Sequence, residues 1–257
     1  MIEIAHRGYS DLYIDNSKES FINAVENYFD MIELDIQLTK DERVIIYHDT
    51  FLKEKLIKNL NYKEIIEIDS TILTLEEFFG IIDVSKIKIY LDIKGTDIKI
   101  SSILNDLIKC RPYLYNIFIA SFNLIIINEL YKLNPQLQLG FITDSLYTLD
   151  LFLKMIKESN LKFISFHWTM LDENIINFLH NNNIMVFSYT IKNKKILSFI
   201  DEFDIDGIIT NGKLSDYRQG ISKKKLNKSK NKIKKKEFIL FFIIILLILF
   251  QLKNYFL

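Results

Sequence analysis

Four short stretches of the 257-residue chain carry side chains that could do chemistry together: His6-Arg7-Gly8, Glu33-Leu34-Asp35, His48-Asp49 and Asp92-Ile93-Lys94. Glu33 and Asp35 stand at i and i+2, as do Asp92 and Lys94, so within a strand each pair points to one face. Carboxylates buried among apolar strands are costly unless compensated. Arg7 and Lys94 are the two cations in equivalent places for the three acids Glu33, Asp35 and Asp92, so the set lacks one positive charge. One divalent cation would supply it, and an all-oxygen donor set suits Mg²⁺ or Ca²⁺ better than zinc. Two imidazoles, His6 and His48, beside such a cation, an arginine and a lysine suit phosphate-ester chemistry. The cations offset phosphoryl charge, while one imidazole takes a proton from the nucleophile and the other gives one to the leaving alkoxide. The residues leave open which imidazole plays which part, and whether water or a neighbouring hydroxyl attacks.

These groups must be held at the ends of strands. Nine β-branched or apolar runs read as strands: 2–6, 31–38, 44–47, 87–93, 117–121, 137–142, 163–166, 184–190 and 207–210. Between most of them apolar residues recur at helical spacing, as at Phe21, Val25 and Phe29 or Leu124, Ile127 and Leu130. Such alternation over about 200 residues indicates a parallel sheet covered by helices, closed or open. The turn after the first run, HRGYS, has a single glycine where an open dinucleotide fold would be glycine-rich. This favours a TIM-type (β/α)8 barrel, whose active site lies at the C-terminal strand ends. The second and third runs are joined by TKDER alone, too short for a crossover helix, so one strand is an irregular extra or a hairpin partner.

A net charge of zero hides two unlike parts. Residues 1–222 hold 23 basic and 32 acidic residues, which argues against nucleic acid as a partner. Residues 223–237 form a polybasic linker (KKKLNKSKNKIKKKE), and 238–257 open with thirteen apolar residues, FILFFIIILLILF. Counted to Leu257 the stretch reaches the roughly 20 residues needed to span a bilayer, with Lys253 snorkelling. The expectation is a single-pass C-terminal transmembrane helix, a tail anchor whose lysines keep the 1–222 domain cytoplasmic. Met1 runs straight into IEIAH without the features of a signal peptide.

At the chemistry-bearing residues the chain resembles the glycerophosphodiester phosphodiesterases. The resemblance runs through IAHRG (4–8), DNSKESFINAVENYFDMIELDIQLTKDERVIIYHD (15–49), TLEEFF (74–79), YLDIK (90–94), ASF (120–122) and DGIIT (206–210). It implies a barrel in which Glu33, Asp35 and Asp92 match the divalent-metal ligands, His6 and His48 the acid/base pair, and Arg7 and Lys94 the phosphate contacts. The implied reaction is metal-dependent hydrolysis of a glycerophosphodiester to glycerol 3-phosphate and an alcohol, in lipid metabolism. Two alternatives stand beside it: a lysophospholipase D acting on membrane lysolipids, and a catalytically inactive barrel that binds head groups. The chain departs from the family pattern at Ile14-Asp15-Asn16-Ser17, usually Pro-Glu-Asn-Thr, at Asp92, usually glutamate, at Glu42, usually glycine, and at Tyr189, usually tryptophan. The segment from His48 to Thr74 is shorter than the family's usual insertion.

Four further residues carry weaker expectations. Cys110, the one cysteine, reads as a buried apolar side chain, His180 as a surface residue, and Ser121 as a hydroxyl in the pocket. His167, at a strand end, reads as a satisfied structural histidine rather than a lining residue.

Overall fold

The computed structural model describes residues 1–219. Its strands are β1 Ile2–Ala5, β2 Met31–Leu38, β3 Val44–Ile46, β4 Phe51–Leu52, β5 Lys55–Leu56, β6 Lys88–Ile93, β7 Ile117–Ser121, β8 Gln138–Thr143, β9 Phe163–His167, β10 Met185–Ile191 and β11 Gly207–Thr210. The helices are α1 Lys18–Glu26, α2 Tyr62–Ile68, α3 Leu75–Ile81, α4 Lys99–Ile108, α5 Leu124–Leu133, α6 Leu149–Ser159, α7 Glu173–Asn181, α8 Lys194–Ile200 and α9 Leu214–Arg218. Parallel pairing runs β1-β2-β6-β7-β8-β9-β10-β11 and returns from β11 to β1, so eight strands close a barrel of the TIM type. The run left outside the barrel is the third, β3, an antiparallel partner on the end of β2, with Ile36 opposite Ile46 and Leu38 opposite Val44. No helix of the described residues is long and apolar enough to cross a membrane. The expected polybasic linker and membrane anchor, 223–237 and 238–257, lie outside the described residues.

Period-2 alternation builds the barrel. Ile4, Met31, Tyr90, Phe118, Phe163, Phe187 and Ile209 point inward and fill the interior. Phe163 packs on Tyr90 at 5.4 Å, Phe118 at 5.6 Å and Phe187 at 5.2 Å between centroids, while the Tyr90 hydroxyl bonds Ser165 Oγ at 2.9 Å. Gly140 admits this plug, since a Cβ there would meet the Phe163 ring at 2.2 Å. The outward faces of the strands bury against the helices, with Phe21, Leu104, Ile127, Leu130 and Phe152 fully enclosed. Each of α5 to α8 begins at a residue whose side chain accepts from the first helical turn, Asn123, Thr148, Asp172 and Asn193. These caps fix where the loops at the barrel mouth stop. The aromatic plug closes the barrel from below, and the polar residues sit on top of it.

Candidate active site

His6 follows β1 directly, and its backbone N–H bonds Thr210 O of β11 at 2.9 Å. Arg7 (φ 55°) and Gly8 (φ 76°) are both left-handed, a conformation that costs a non-glycine residue about 1–2 kcal/mol. The turn aims the Arg7 backbone N–H into the barrel, where it bonds Glu33 Oε2 at 2.8 Å. Gly8 is required here, since a Cβ would meet Ser20 Oγ at 2.3 Å in addition to the strain of its φ.

Glu33 and Asp35 lie on one face of β2, and Asp35 is in register with Asp92 of β6. One oxygen from each of Glu33, Asp35 and Asp92 falls within 4.8 Å of the others, and all three residues are buried. The two cations are unevenly shared. Asp35 has Lys94 Nζ at 3.0 Å, Arg7 Nε at 2.9 Å and a hydrogen bond from Asn16 Nδ2 at 2.9 Å. Asp92 has Lys94 Nζ at 2.6 Å on Oδ2, while its buried Oδ1 has no partner. Glu33 has the Arg7 amide and no ion pair among the described residues. Burial raises the pKa of all three acids, but for Asp35 the charges of Lys94 and Arg7 prevail and hold it below the usual carboxylate range. Glu33 is pushed well up by burial, Asp35 and Asp92. Asp92 is pushed up to about 6 by burial, which Lys94 offsets in part and Asp35 reinforces. Three buried carboxylates against two cations, with one oxygen unpartnered, form a donor set that fits a divalent cation.

Lys94 is mostly buried, and Asp92 and Asp35 outweigh that burial to raise its pKa, so it stays charged. Arg7 also bonds Asp15 Oδ2 through Nη1 at 3.2 Å, so the aspartate standing in for the family's usual glutamate holds the guanidinium.

The two histidines sit in different environments. His6 Nδ1 lies 2.7 Å from Asn211 Oδ1, which places the proton on Nδ1 and leaves the Nε2 lone pair free. Burial and the neighbouring Arg7 lower the His6 pKa to about 3, with Asp35 and Asn211 offsetting them in part. His48 comes after β3, so the hairpin extension rather than a barrel strand delivers it. Its side chain is 41% exposed, and Nδ1 pairs with Asp49 Oδ1 at 2.7 Å. Gln37, two residues beyond Asp35 on the same face of β2, holds that loop by donating from Nε2 to Tyr47 O at 2.7 Å and Asp49 O at 3.0 Å.

All seven expected residues, His6, Arg7, Glu33, Asp35, His48, Asp92 and Lys94, line one cavity of about 190 Å³ at the C-terminal mouth of the barrel. Four residues outside those seven also bear on the site. Asn16 and Asn211 tie down Asp35 and His6, and Tyr189 and Lys192 line the cavity from β10 and the loop after it. Asn211 follows the last residue of β11, so the strand-end rule could have marked it. Asn16 carries a left-handed backbone (φ 56°), for which an Asn in a loop is a weak signal.

Three of the weaker expectations are corrected. The Ser121 hydroxyl donates to Ile93 O at 2.9 Å and accepts from Asn123 N–H at 3.0 Å, so it braces a turn, and the residue lines a neighbouring cavity rather than the one that holds the seven expected residues. His180 is half-buried, with Nε2 3.0 Å from Asp206 Oδ2, an oxygen that also accepts from Val186 N–H. Cys110 is exposed, because the chain leaves α4 at Lys109 and the residue lies past the helix's buried face. His167 does not line the cavity, as expected; it pairs with Thr169 Oγ1 at 2.6 Å and stands edge-on to Tyr189.

Comparison with known proteins agrees with this geometry. The family model of the glycerophosphoryl diester phosphodiesterases matches residues 6–212. Over 229 residues the chain is 28% identical to a glycerophosphodiester phosphodiesterase of Caldanaerobacter subterraneus subsp. tengcongensis, covering 80% of this chain and 92% of that one. The crystal structure of a glycerophosphodiester phosphodiesterase from Thermotoga maritima matches with a TM-score of 0.71 at 26% identity, over 82% of this chain and 94% of that one. The fold is shared with an Oleispira antarctica phosphodiesterase solved with the product sn-glycerol-3-phosphate, at a TM-score of 0.74 and 19% identity, over 82% and 93%. With motif, barrel and matched span in agreement, the chain belongs to the glycerophosphoryl diester phosphodiesterase family, and so to the phosphoric diester hydrolases.

Proposed function

We propose that the protein hydrolyses glycerophosphodiesters to glycerol 3-phosphate and the free alcohol, using one bound Mg²⁺ or Ca²⁺ held by Glu33, Asp35 and Asp92. The observation that carries this reading is the single cavity that joins two differently poised imidazoles, two cations and a carboxylate set short of positive charge. A bound divalent cation would add positive charge against the phosphoryl oxygens and so ease attack at phosphorus. Arg7 and Lys94, each already anchored by carboxylates, would hold non-bridging oxygens of the diester with little reorganisation. His6, neutral with its proton fixed on Nδ1, would accept a proton at Nε2 from the attacking hydroxyl. His48, at the open rim with a carboxylate behind its Nδ1, would deliver a proton from Nε2 to the departing alkoxide, which leaves toward solvent.

A specific observation favours lysolipids as a second substrate class. A neighbouring cavity of about 480 Å³ shares Lys94 and Phe122 with the site and is lined by Ile93, Leu124, Phe141, Tyr147 and Met155. Ile125, Leu146 and Leu149, close in sequence to the lining residues Leu124 and Tyr147, are exposed apolar side chains. The test is hydrolysis of glycerophosphocholine and of long-chain lysophosphatidylcholine with Mg²⁺, with Ca²⁺ and with EDTA. Metal-dependent release of glycerol 3-phosphate is the expected result. Faster turnover of the lysolipid would move the assignment to a lysophospholipase D, and a folded protein inert toward both substrates with either metal would support the inactive head-group-binding barrel.

The lysine run at 223–237 and the apolar run from 238 support a C-terminal membrane anchor with the barrel on the cytoplasmic side. Full-length protein is therefore expected to sediment with membranes and residues 1–222 to remain in the supernatant after cell fractionation. Membrane sedimentation of the shorter form would locate the lipid contact on the barrel itself.

A further inference from the structure

Tyr189 lines the reaction cavity, yet none of the roles above uses it. Its hydroxyl oxygen is buried and has no hydrogen-bond partner. Leaving a buried phenol oxygen unsatisfied costs about 1–3 kcal/mol, a cost that a ligand's polar group removes when it occupies the cavity. The ring is held in place by edge contacts, with Phe122 at 6.2 Å and His167 at 5.7 Å between centroids, so the hydroxyl is presented by a packed side chain. Burial, with Asp144 and Asp92 nearby, raises the phenol's pKa, and the group remains a neutral donor across the physiological range.

Its place in the barrel says what it can read. Following the pairing order, β10 stands four strands from β6 in either direction, so Tyr189 faces Asp92 from across the mouth. Arg7, Lys94 and the three carboxylates occupy the β1, β2 and β6 side, where the phosphoryl group belongs. Apart from the two histidines, the rest of the lining is apolar at Phe122, Ile142 and Ile209 and polar at Tyr189, Thr190 and Lys192, while Tyr90, which also lines it, has its hydroxyl bonded to Ser165. Apolar surface in one cavity with an unpartnered hydroxyl complements a short polyol, whose carbons present C–H surface and whose hydroxyls need partners.

We propose that Tyr189 is a specificity-determining residue, its hydroxyl bonded to a glycerol hydroxyl of the bound ligand while the glycerol carbons lie against Phe122, Ile142 and Ile209. This rests on the glycerophosphodiester reading above and adds a discriminating contact at a position where the family usually carries tryptophan. The phenol thereby distinguishes a glyceryl phosphate from an alkyl phosphate of similar charge.

The test is calorimetric titration of full-length protein in detergent, with Mg²⁺ present, using sn-glycerol 3-phosphate and ethyl phosphate as ligands. Wild type is expected to bind glycerol 3-phosphate about tenfold more tightly, the worth of one well-placed neutral hydrogen bond. Tyr189→Phe should bring that ratio to about twofold or less while ethyl phosphate affinity changes by less than about twofold. A wild-type ratio near one, an undiminished ratio in Tyr189→Phe, or an equal loss of affinity for both ligands would each overturn the assignment. Because binding is read without turnover, a protein that fails to hydrolyse glycerophosphocholine still returns both ratios, and the two readings fail separately.

Discussion

His6→Ala is expected to lower kcat on glycerophosphocholine by about 10²–10⁴-fold, and His48→Ala by a similar factor, the usual contribution of a positioned acid or base. The two losses should differ in their dependence on the leaving group. His6 is enclosed, has its proton fixed on Nδ1 by Asn211, and is kept neutral by burial and Arg7, as a group that accepts a proton during attack must be. His48 stands at the rim with Asp49 behind it, where the alcohol departs. A diester with a p-nitrophenyl leaving group needs no proton on departure, so His48→Ala should recover most of its loss on such a substrate and His6→Ala should recover little. The measurement is kcat for each variant on both substrates, with the thermal midpoint as a control for folding. Near-normal rates in either variant on glycerophosphocholine would remove that residue from the acid/base pair, and recovery by His6→Ala instead would exchange the two roles.

The difference between these histidines could not be read from the chain alone, whereas their presence at one site could. Strand-end logic finds His6, Asp92 and Lys94, polar residues at or near the C-terminal ends of apolar runs that the closed barrel brings together, and Glu33 and Asp35 stand out as same-face carboxylates inside the second run. His48 reached the same list by a less secure route. Its run is not a barrel strand at all, and it arrives at the mouth because β3 turns back antiparallel on β2 and Gln37 clamps the loop that follows. Period-2 reasoning extended one step past Asp35 would have marked Gln37. Asn16, by contrast, depends on a left-handed backbone in a loop whose course only tertiary packing determines. Glu42 shows the reverse case, a family departure with a structural meaning. It sits at φ 63° in the turn between β2 and β3, where glycine carries no strain, so this chain accepts a local backbone cost there. Ser121 and His180 were misplaced because each finds a local partner, Ile93 O and Asp206, that residue type and position do not reveal.

The carboxylates give the second large effect, and activity and stability should move in opposite directions. Glu33→Gln is expected to reduce metal-dependent turnover by at least about 100-fold, since one of three ligands loses its charge. The same substitution should stabilise the metal-free protein at neutral pH. Glu33 and Asp92 have folded pKa values raised above their unfolded ones, Glu33 well above and Asp92 to about 6. In the fold they hold protons that the unfolded chain has released, so the stability they contribute is complete below the unfolded carboxylate pKa near 4 and is lost as pH rises through each folded pKa, about 6 for Asp92 and well above the usual carboxylate range for Glu33. Asp35, with a lowered pKa, acts in the other sense, but only as pH falls below that range. His6, lowered to about 3, acts against Glu33 and Asp92, because it is neutral in the fold where the unfolded imidazole still binds a proton up to about 6.5, so the carboxylate contribution is read as a urea midpoint that falls more steeply, or climbs less, from pH 5 to 7 in metal-free wild type than in Glu33→Gln. Glu33→Gln keeps an oxygen for the Arg7 amide, removes the most strongly perturbed charge and should remove its share of that contribution. Saturating Mg²⁺ or Ca²⁺ should offset the contribution in wild type too, because the cation displaces the protons and is bound more tightly as pH rises. An equal slope from pH 5 to 7 in metal-free wild type and Glu33→Gln would show that Lys94 and Arg7 already balance the three acids, and would remove the electrostatic case for a bound cation.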